Sequence, residues 1–303
     1  MTAAPTVAPT MAPTMAPTMA IPGPAYTAGM NTARRQQSVA FIGGGNMASA
    51  LIGGLLRAGR SPQDLIVIEP APAQRDQLAQ QFGVQAQAAP DARLAAAGMV
   101  VWAVKPQLFA EAAAPCAAHT AQALQVSVMA GVRSEAVVRA SGSARVVRTM
   151  PNTPALIGQG IAGLYARPEV DAAARSAVEA LFAPTGQSLW VDREDDLDAV
   201  TALSGSGPAY VFFFIEAMVQ AATEMGLTAE QGRQLAQATF AGAAALAQQS
   251  PLSPTALREQ VTSKGGTTHA AISSLQAQGV DQAFVKALHA ARDRARELGQ
   301  AFG

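Results

Sequence analysis

From residue 38 onward, short and largely apolar runs alternate with longer stretches in which apolar residues recur every three or four positions. The runs at 39–42, 65–68, 99–104, 124–128 and 145–150 carry the length and β-branched content of strands buried on both faces. Between them, 46–58, 73–82, 107–118 and 134–140 read as amphipathic helices. Strands and helices in that alternation imply βαβ crossovers and a parallel sheet covered on both sides. Two further strands, at 161–166 and 187–191, flank a helix over 170–182 and are expected to extend the sheet. After about Arg193 the strand signal stops, and 209–225, 229–248, 254–261, 267–278 and 281–298 all read as helices. The first of these is apolar almost all round and needs cover on every side. The pattern therefore predicts a mostly parallel α/β domain over 38–193, followed by an all-α domain over 194–303 whose apolar surface is shared in a homo-oligomer.

Residues 1–37 follow neither pattern. Ala-Pro-Thr-Met recurs in tandem at 8–11, 12–15 and 16–19, so that proline removes a backbone donor every fourth residue and nothing nearby supplies a core. The segment is expected to be a disordered low-complexity extension, with Met30 an alternative start. Its lack of acids before Asp64 is a transit-peptide trait, yet its only arginines, Arg34 and Arg35, come at the end and no uninterrupted apolar run accompanies them.

Composition narrows the function classes. Half the residues are hydrophobic and 14% are charged, as in a compact folded protein. Lys plus Arg and Asp plus Glu are each 21, and this zero net charge removes the usual electrostatic case for a nucleic acid or an anionic membrane as partner. The single cysteine, Cys116, excludes an intramolecular disulfide framework and a cysteine zinc cage. His119, His269 and His289 are too scattered to suggest a metal site. No uncharged apolar run approaches the roughly 18 residues of a membrane span, because the stretch 209–215 ends at Glu216. A cytoplasmic protein is expected.

The candidate chemistry starts at the end of the first strand. Ile42 leads into Gly43-Gly44-Gly45-Asn46-Met47-Ala48, a G-x-G-x-x-A run between a strand and a helix. The first glycine permits a tight turn, the second lets backbone amides approach a pyrophosphate, and the alanine allows close helix–strand packing. That context makes the run the fingerprint of a Rossmann-like dinucleotide site. Glu69, at the end of the second strand, stands where an acid accepts hydrogen bonds from the ribose hydroxyls of NAD and repels the 2′-phosphate of NADP, while Arg75 lies within reach of such a phosphate. The bland alternative for Glu69 is a capping or surface carboxylate.

Val104-Lys105-Pro106 ends the third strand on the edge where open α/β sheets bind ligands, and Met150-Pro151-Asn152-Thr153-Pro154 forms a stiff loop at the same edge. Two helices begin with glycine-rich runs, Leu203-Ser204-Gly205-Ser206-Gly207-Pro208 and Ser263-Lys264-Gly265-Gly266-Thr267-Thr268. Consecutive amides at such starts suit a small anion such as a carboxylate, although each run is also an ordinary helix cap.

Taken together, F-I-G-G-G-N-M-A, A-V-K-P, M-P-N-T-P, A-L-S-G-S-G-P-A-Y and S-x-G-G-T-T resemble the pyrroline-5-carboxylate reductase family in order and spacing, from about Ser38 to the C-terminus. The resemblance implies reduction of L-1-pyrroline-5-carboxylate to L-proline by NADPH, or by NADH, in an enzyme that interlocks as a homodimer and in some members assembles into a decamer. It implies that Ile42, Gly43, Gly44, Gly45, Asn46 and Met47 hold the pyrophosphate and that Val104, Lys105 and Ala130 line the nicotinamide side. It further implies that the amides of Gly265, Gly266, Thr267 and Thr268, beside Ser263, take the substrate carboxylate. Thr268 would then place its hydroxyl near the ring nitrogen as the catalytic group, with Ser206 walling the pocket. Lys264 and His269 depart from the family pattern.

Three rivals remain at this point: a related imine reductase, a β-hydroxyacid dehydrogenase and a non-catalytic NAD(P) sensor. The hydroxyacid enzymes place a catalytic lysine on the helix after the glycine-rich start, where this chain has Tyr210-Val211-Phe212-Phe213-Phe214-Ile215. A sensor would need only the first motif.

Overall fold

The structure, a computed structural model, describes residues 38–301, so the expected disorder of residues 1–37 lies outside the described residues. In chain order, the first part comprises β1 (Ser38–Ile42), α1 (Asn46–Arg57), β2 (Leu65–Ile68), α2 (Pro72–Phe82), β3 (Ala97–Trp102), α3 (Phe109–Ala113), α4 (Ala117–Thr120), β4 (Leu124–Ser127), α5 (Ser134–Ser141), β5 (Val146–Met150), β6 (Gly160–Ala166), α6 (Ala172–Phe182) and β7 (Gly186–Trp190). The strands form one sheet in the order β2-β1-β3-β4-β5-β6-β7. Every pairing is parallel except β5 with β6, which follows from the short connection that turns the chain straight back. This is the expected Rossmann-like, mostly parallel sheet.

Alternation along each strand builds a core on either face. Val39 and Phe41 of β1 join Leu51, Ile52 and Phe182 in one cluster, while Ala40 and Ile42 join Trp102, Phe109 and Val137 in the other. The largest buried side chain, Trp102, donates its indole N–H to Gln125 Oε1 at 2.9 Å, so its one polar atom is satisfied inside the core. Two expected elements change. The helix over 107–118 is instead a 3₁₀ turn at Pro106–Leu108 followed by α3 and α4, with Pro115 between them removing the donor that a continuous helix needs. The third strand ends at Trp102 rather than 104: the Ala103 amide makes the last ladder bond, to Ile42 O at 2.8 Å, and the chain then enters the 3₁₀ turn at Pro106.

The second part is helical: α7 (Asp196–Val200), α8 (Gly207–Glu224), α9 (Ala229–Gln249), α10 (Pro254–Gln260), α11 (Thr267–Ala277) and α12 (Val280–Ala301). Sequence periodicity misses α7. A π turn, Thr201–Gly205, joins α7 to α8, so the two run as one helical stretch. That stretch, Asp196–Glu224, is long and apolar enough by composition to cross a membrane, contrary to the expectation from uncharged runs alone. Its apolar character has another outlet. Only Ala222 of α8 is buried, Phe212 and Phe213 are 59% and 66% exposed, and α10 and α11 bury no residue at all. Five helices that bury a handful of alanines and glycines cannot form a self-sufficient core, and the surface they leave is what a second copy would cover.

The helical part is tied to the sheet by an ion-pair cluster. Glu194 accepts from both the amide and the hydroxyl of Ser134 at 2.7 Å and pairs with the buried Arg148 at 3.3 Å. Burial pulls the Arg148 guanidinium below its ordinary range, and Glu194 acts in the opposite direction.

Candidate active site

The carboxyl ends of the parallel strands lie level, since Ile42 is in register with Ile68 on one side and Trp102 on the other, and Trp102 with Ser127. The residues after each strand therefore meet at one sheet edge: Gly43 to Gly45, Glu69, Val104 with Lys105, and Ala130. The order β2-β1-β3 makes β1 and β3 the switch point, where ligands of open α/β sheets bind.

Each glycine of the first loop has a separate physical reason. Gly43 has φ +97°, and a Cβ there would stand 2.6 Å from Ala103 O. Its amide donates to Ile68 O at 2.8 Å, which fixes the turn to β2. A Cβ on Gly44 would meet Leu78 Cδ1 at 2.7 Å. At Gly45, by contrast, a Cβ would find nothing within 4 Å. Gly45 is the N-cap of α1, no side chain caps that helix, and its first turn holds no acid. The result is an open, uncapped helix start bordered by a glycine cradle, which fits the diphosphate of a dinucleotide.

Glu69 has a task that its position in sequence does not reveal. One carboxylate oxygen accepts from the Gly44 amide and the other from the Ala71 amide, both at 2.8 Å. It ties the glycine loop to the β2–α2 turn. Arg75, read as a phosphate ligand in reserve, donates instead to Glu69 O and Pro70 O at 2.9 and 2.7 Å. Gln74 and Ser49, neither singled out by sequence, both donate to Gly44 O, at 2.6 and 3.2 Å. No spacing rule marks Gln74, which reaches the loop only because α2 folds back beside it.

Val104 is half-buried and lies beside Gly43, while Lys105 is exposed at the start of the 3₁₀ turn. The turn after β4 carries Ala130. Ser127 Oγ accepts from the Met129 amide at 3.3 Å, and Gly131 follows with φ +78°. Asn152, in the stiff loop after β5, is turned inward: it donates to Ser204 O at 3.1 Å and accepts from the Ile161 amide at 3.0 Å.

The two glycine-rich helix starts behave differently. At 203–208 a π turn runs through the glycine-rich stretch, and the Ser206 amide is engaged, donating to Thr201 O at 2.8 Å. The Ser206 hydroxyl makes no cap bond to α8. At 263–268 the start is open. Gly265 takes φ +77°, the Gly266 amide closes a turn onto Ser263 O, and a Cβ on Gly266 would stand 2.8 Å from Ser263 Oγ. The first helical bond of α11 is Ala270 N to Gly266 O, and no side chain caps it. The amides of Thr267, Thr268 and His269 are therefore left without an intrahelical partner, and of the four amides named from sequence the Gly266 amide is the one engaged, in the turn onto Ser263 O. Ser263, Lys264, Gly265 and Thr267 are all exposed, so the structure brings the cofactor-edge residues together but leaves this loop open to solvent.

No group of metal-ligating side chains occurs among the described residues. Cys116 is buried, and burial pushes its thiol up to about 11, which leaves it protonated at neutral pH and unsuited to act as a nucleophile.

Comparison with known proteins agrees with this layout. Residues 38–131 match the family model described as NADP oxidoreductase coenzyme F420-dependent, and 194–298 match the one described as pyrroline-5-carboxylate reductase dimerisation. The pyrroline-5-carboxylate reductase of Pseudomonas aeruginosa is 42% identical over 269 residues, covering 88% of this chain and 98% of that protein. The chain belongs to the pyrroline-5-carboxylate reductase family. Among solved structures, the family member from Coxiella burnetii superposes with a TM-score of 0.80 at 36% identity, over 86% of this chain and 98% of that one. A Plasmodium falciparum pyrroline carboxylate reductase with NADP bound gives 0.78 at 26% identity, over 87% and 98%.

Proposed function

We propose that this chain reduces L-1-pyrroline-5-carboxylate to L-proline with a reduced nicotinamide cofactor, as the closing step of proline synthesis in the cytoplasm. The observation that carries this reading is the presence, in one chain of this family, of two complementary open helix starts. One is the glycine cradle at α1 that fits a diphosphate, and the other is the uncapped start of α11 that fits a carboxylate. NADPH is the proposed cofactor, with NADH also accepted. The working unit is a homodimer that covers the exposed faces of α8 and α11, and higher assembly to a decamer is compatible with it.

A reduced nicotinamide supplies hydride to carbon. The chain's own residues bind, align and exclude water. Gly43 to Met47 hold the pyrophosphate, with Glu69 and Gln74 keeping the loop in shape. Val104, Lys105 and Ala130 border the nicotinamide side. The amides of Thr267 and Thr268 hold the substrate carboxylate, and the Thr268 hydroxyl sits by the ring nitrogen, where it orients the imine and its proton. A cyclic imine takes up a proton readily, so the site needs neither a nucleophile nor a strong acid, and alignment is the main task. The rival hydroxyacid chemistry lacks its lysine on α8.

The double engagement of Glu69 makes a specific expectation about cofactor choice. Glu69→Ala removes the acceptor for two backbone amides and is expected to weaken NADPH and NADH binding alike, by about tenfold. Calorimetric titration with each cofactor checks this. Tighter NADPH with weaker NADH would instead assign Glu69 to reading the ribose. The reading as a whole is tested by quantifying L-proline formed per cofactor oxidised: one-to-one stoichiometry supports it, and cofactor oxidation without proline contradicts it.

A further inference from the structure

The turn that carries Ala130 is gripped from the helical part of the molecule at two points. Gly131, at φ +78°, lies against the end of α12, such that a Cβ on it would stand 3.2 Å from Leu298 Cβ and 3.3 Å from the Leu298 carbonyl carbon. Two residues later, the Arg133 guanidinium forks. One nitrogen lies 2.6 Å from Asp195 Oδ1 and the other 3.2 Å from Asp198 Oδ2. The same guanidinium packs on α12, where a Cβ on Gly299 would stand 2.9 Å from its Nε. Asp198 is 1% exposed and its second oxygen has no hydrogen-bond partner; Arg133 pairs directly with that buried carboxylate, and the charge of Arg148 also acts on it.

We propose that Arg133 is a positioning residue for the cofactor site: by clamping the 129–132 turn to α7 and α12, it holds Ala130 against the nicotinamide side and makes cofactor affinity depend on ion pairs from the helical domain. This rests on the reading that Ala130 borders that site. The geometry favours arginine specifically, because a planar fork reaches two carboxylates at once, whereas the lysine ammonium is a single point charge on a flexible stem. Gly131 and Gly299 make the clamp close, since a side chain at either position would push the turn and the helices apart.

The experiment measures the Kd for NADPH by calorimetry on the full-length protein, wild type against Arg133→Ala, Arg133→Lys and Asp195→Asn, with melting temperature recorded for each. Asp195 is 59% exposed, so its substitution spares the fold if Arg133→Ala does not. Glu135→Gln, which removes an exposed ion pair to Arg167 from α5, the helix that Arg133 precedes, is the control. The expected result is a Kd raised about tenfold in Arg133→Ala and by less in Arg133→Lys and Asp195→Asn, with Glu135→Gln unchanged. Steady-state kinetics should show a higher KM for NADPH with a smaller change in kcat. Folded variants with a lowered melting temperature but wild-type Kd would overturn the proposal and leave Arg133 a purely structural tie. Failure of the wild-type protein to bind NADPH or NADH would count against the functional reading itself.

Discussion

Gly43→Ala is expected to remove measurable cofactor binding while leaving most of the secondary structure intact. Two costs add at this position. The backbone takes φ +97°, a region that an L side chain occupies only with about 1–3 kcal/mol of strain. The new methyl group would also stand 2.6 Å from Ala103 O and 3.1 Å from Val104 Cγ1, and the first of these neighbours is backbone held by its own bond to β1. The loop must therefore shift away from β3, which moves the α1 start relative to Ala103 and Val104. A loss of at least about 100-fold in affinity corresponds to roughly 2.7 kcal/mol, within the combined strain and misalignment. Gly45→Ala is the internal comparison, since a Cβ there meets nothing within 4 Å of the protein itself. Calorimetry of both variants checks the ranking; equal and mild effects would mean that the loop is more pliable than its packing indicates.

Phe213→Asp on α8 is expected to dissociate the homodimer and to abolish turnover with it. Phe213 is 66% exposed on a helix whose single buried residue is Ala222. Burying one phenylalanine contributes about 1.5–3 kcal/mol, and in a two-fold interface each substitution counts twice. Adding the desolvation of two carboxylates raises the dimer Kd by at least about 10²- to 10⁴-fold, and the released chain exposes enough apolar surface to aggregate. Analytical ultracentrifugation across concentration reads this directly. A soluble Phe213→Asp dimer with normal turnover would place the interface on another face.

Much of this molecule was legible before its structure. The glycine run, its place between a strand and a helix, and the level carboxyl ends of a parallel sheet follow from local rules, so Gly43 to Gly45, Glu69, Val104 and Ala130 gather at one sheet edge. The open start of α11 was legible for the same reason, since Gly265 and Gly266 mark a left-handed turn and a close approach that only glycine accepts. What sequence hid depends on partners far away along the chain. Glu69 stands in sequence only as a ribose ligand or a surface carboxylate, and its bonds to the Gly44 and Ala71 amides appear only in the fold. Gln74 and Arg133 act through neighbours 30 and more than 60 residues distant, and no periodicity encodes such meetings. The Leu203–Gly207 run carries a feature its glycines do not announce: a π turn continuing from α7, which engages the Ser206 amide. Asn152 likewise closes two backbone groups, Ser204 O and the Ile161 amide, that its place in a stiff loop does not reveal.

The central claim is tested most directly by following NADPH and NADH absorbance with purified protein, in the presence and absence of L-1-pyrroline-5-carboxylate. The account predicts oxidation that depends on the imine, runs faster with NADPH than with NADH, and stops when the imine is exhausted. Binding of both cofactors with no imine-dependent oxidation of either would contradict it.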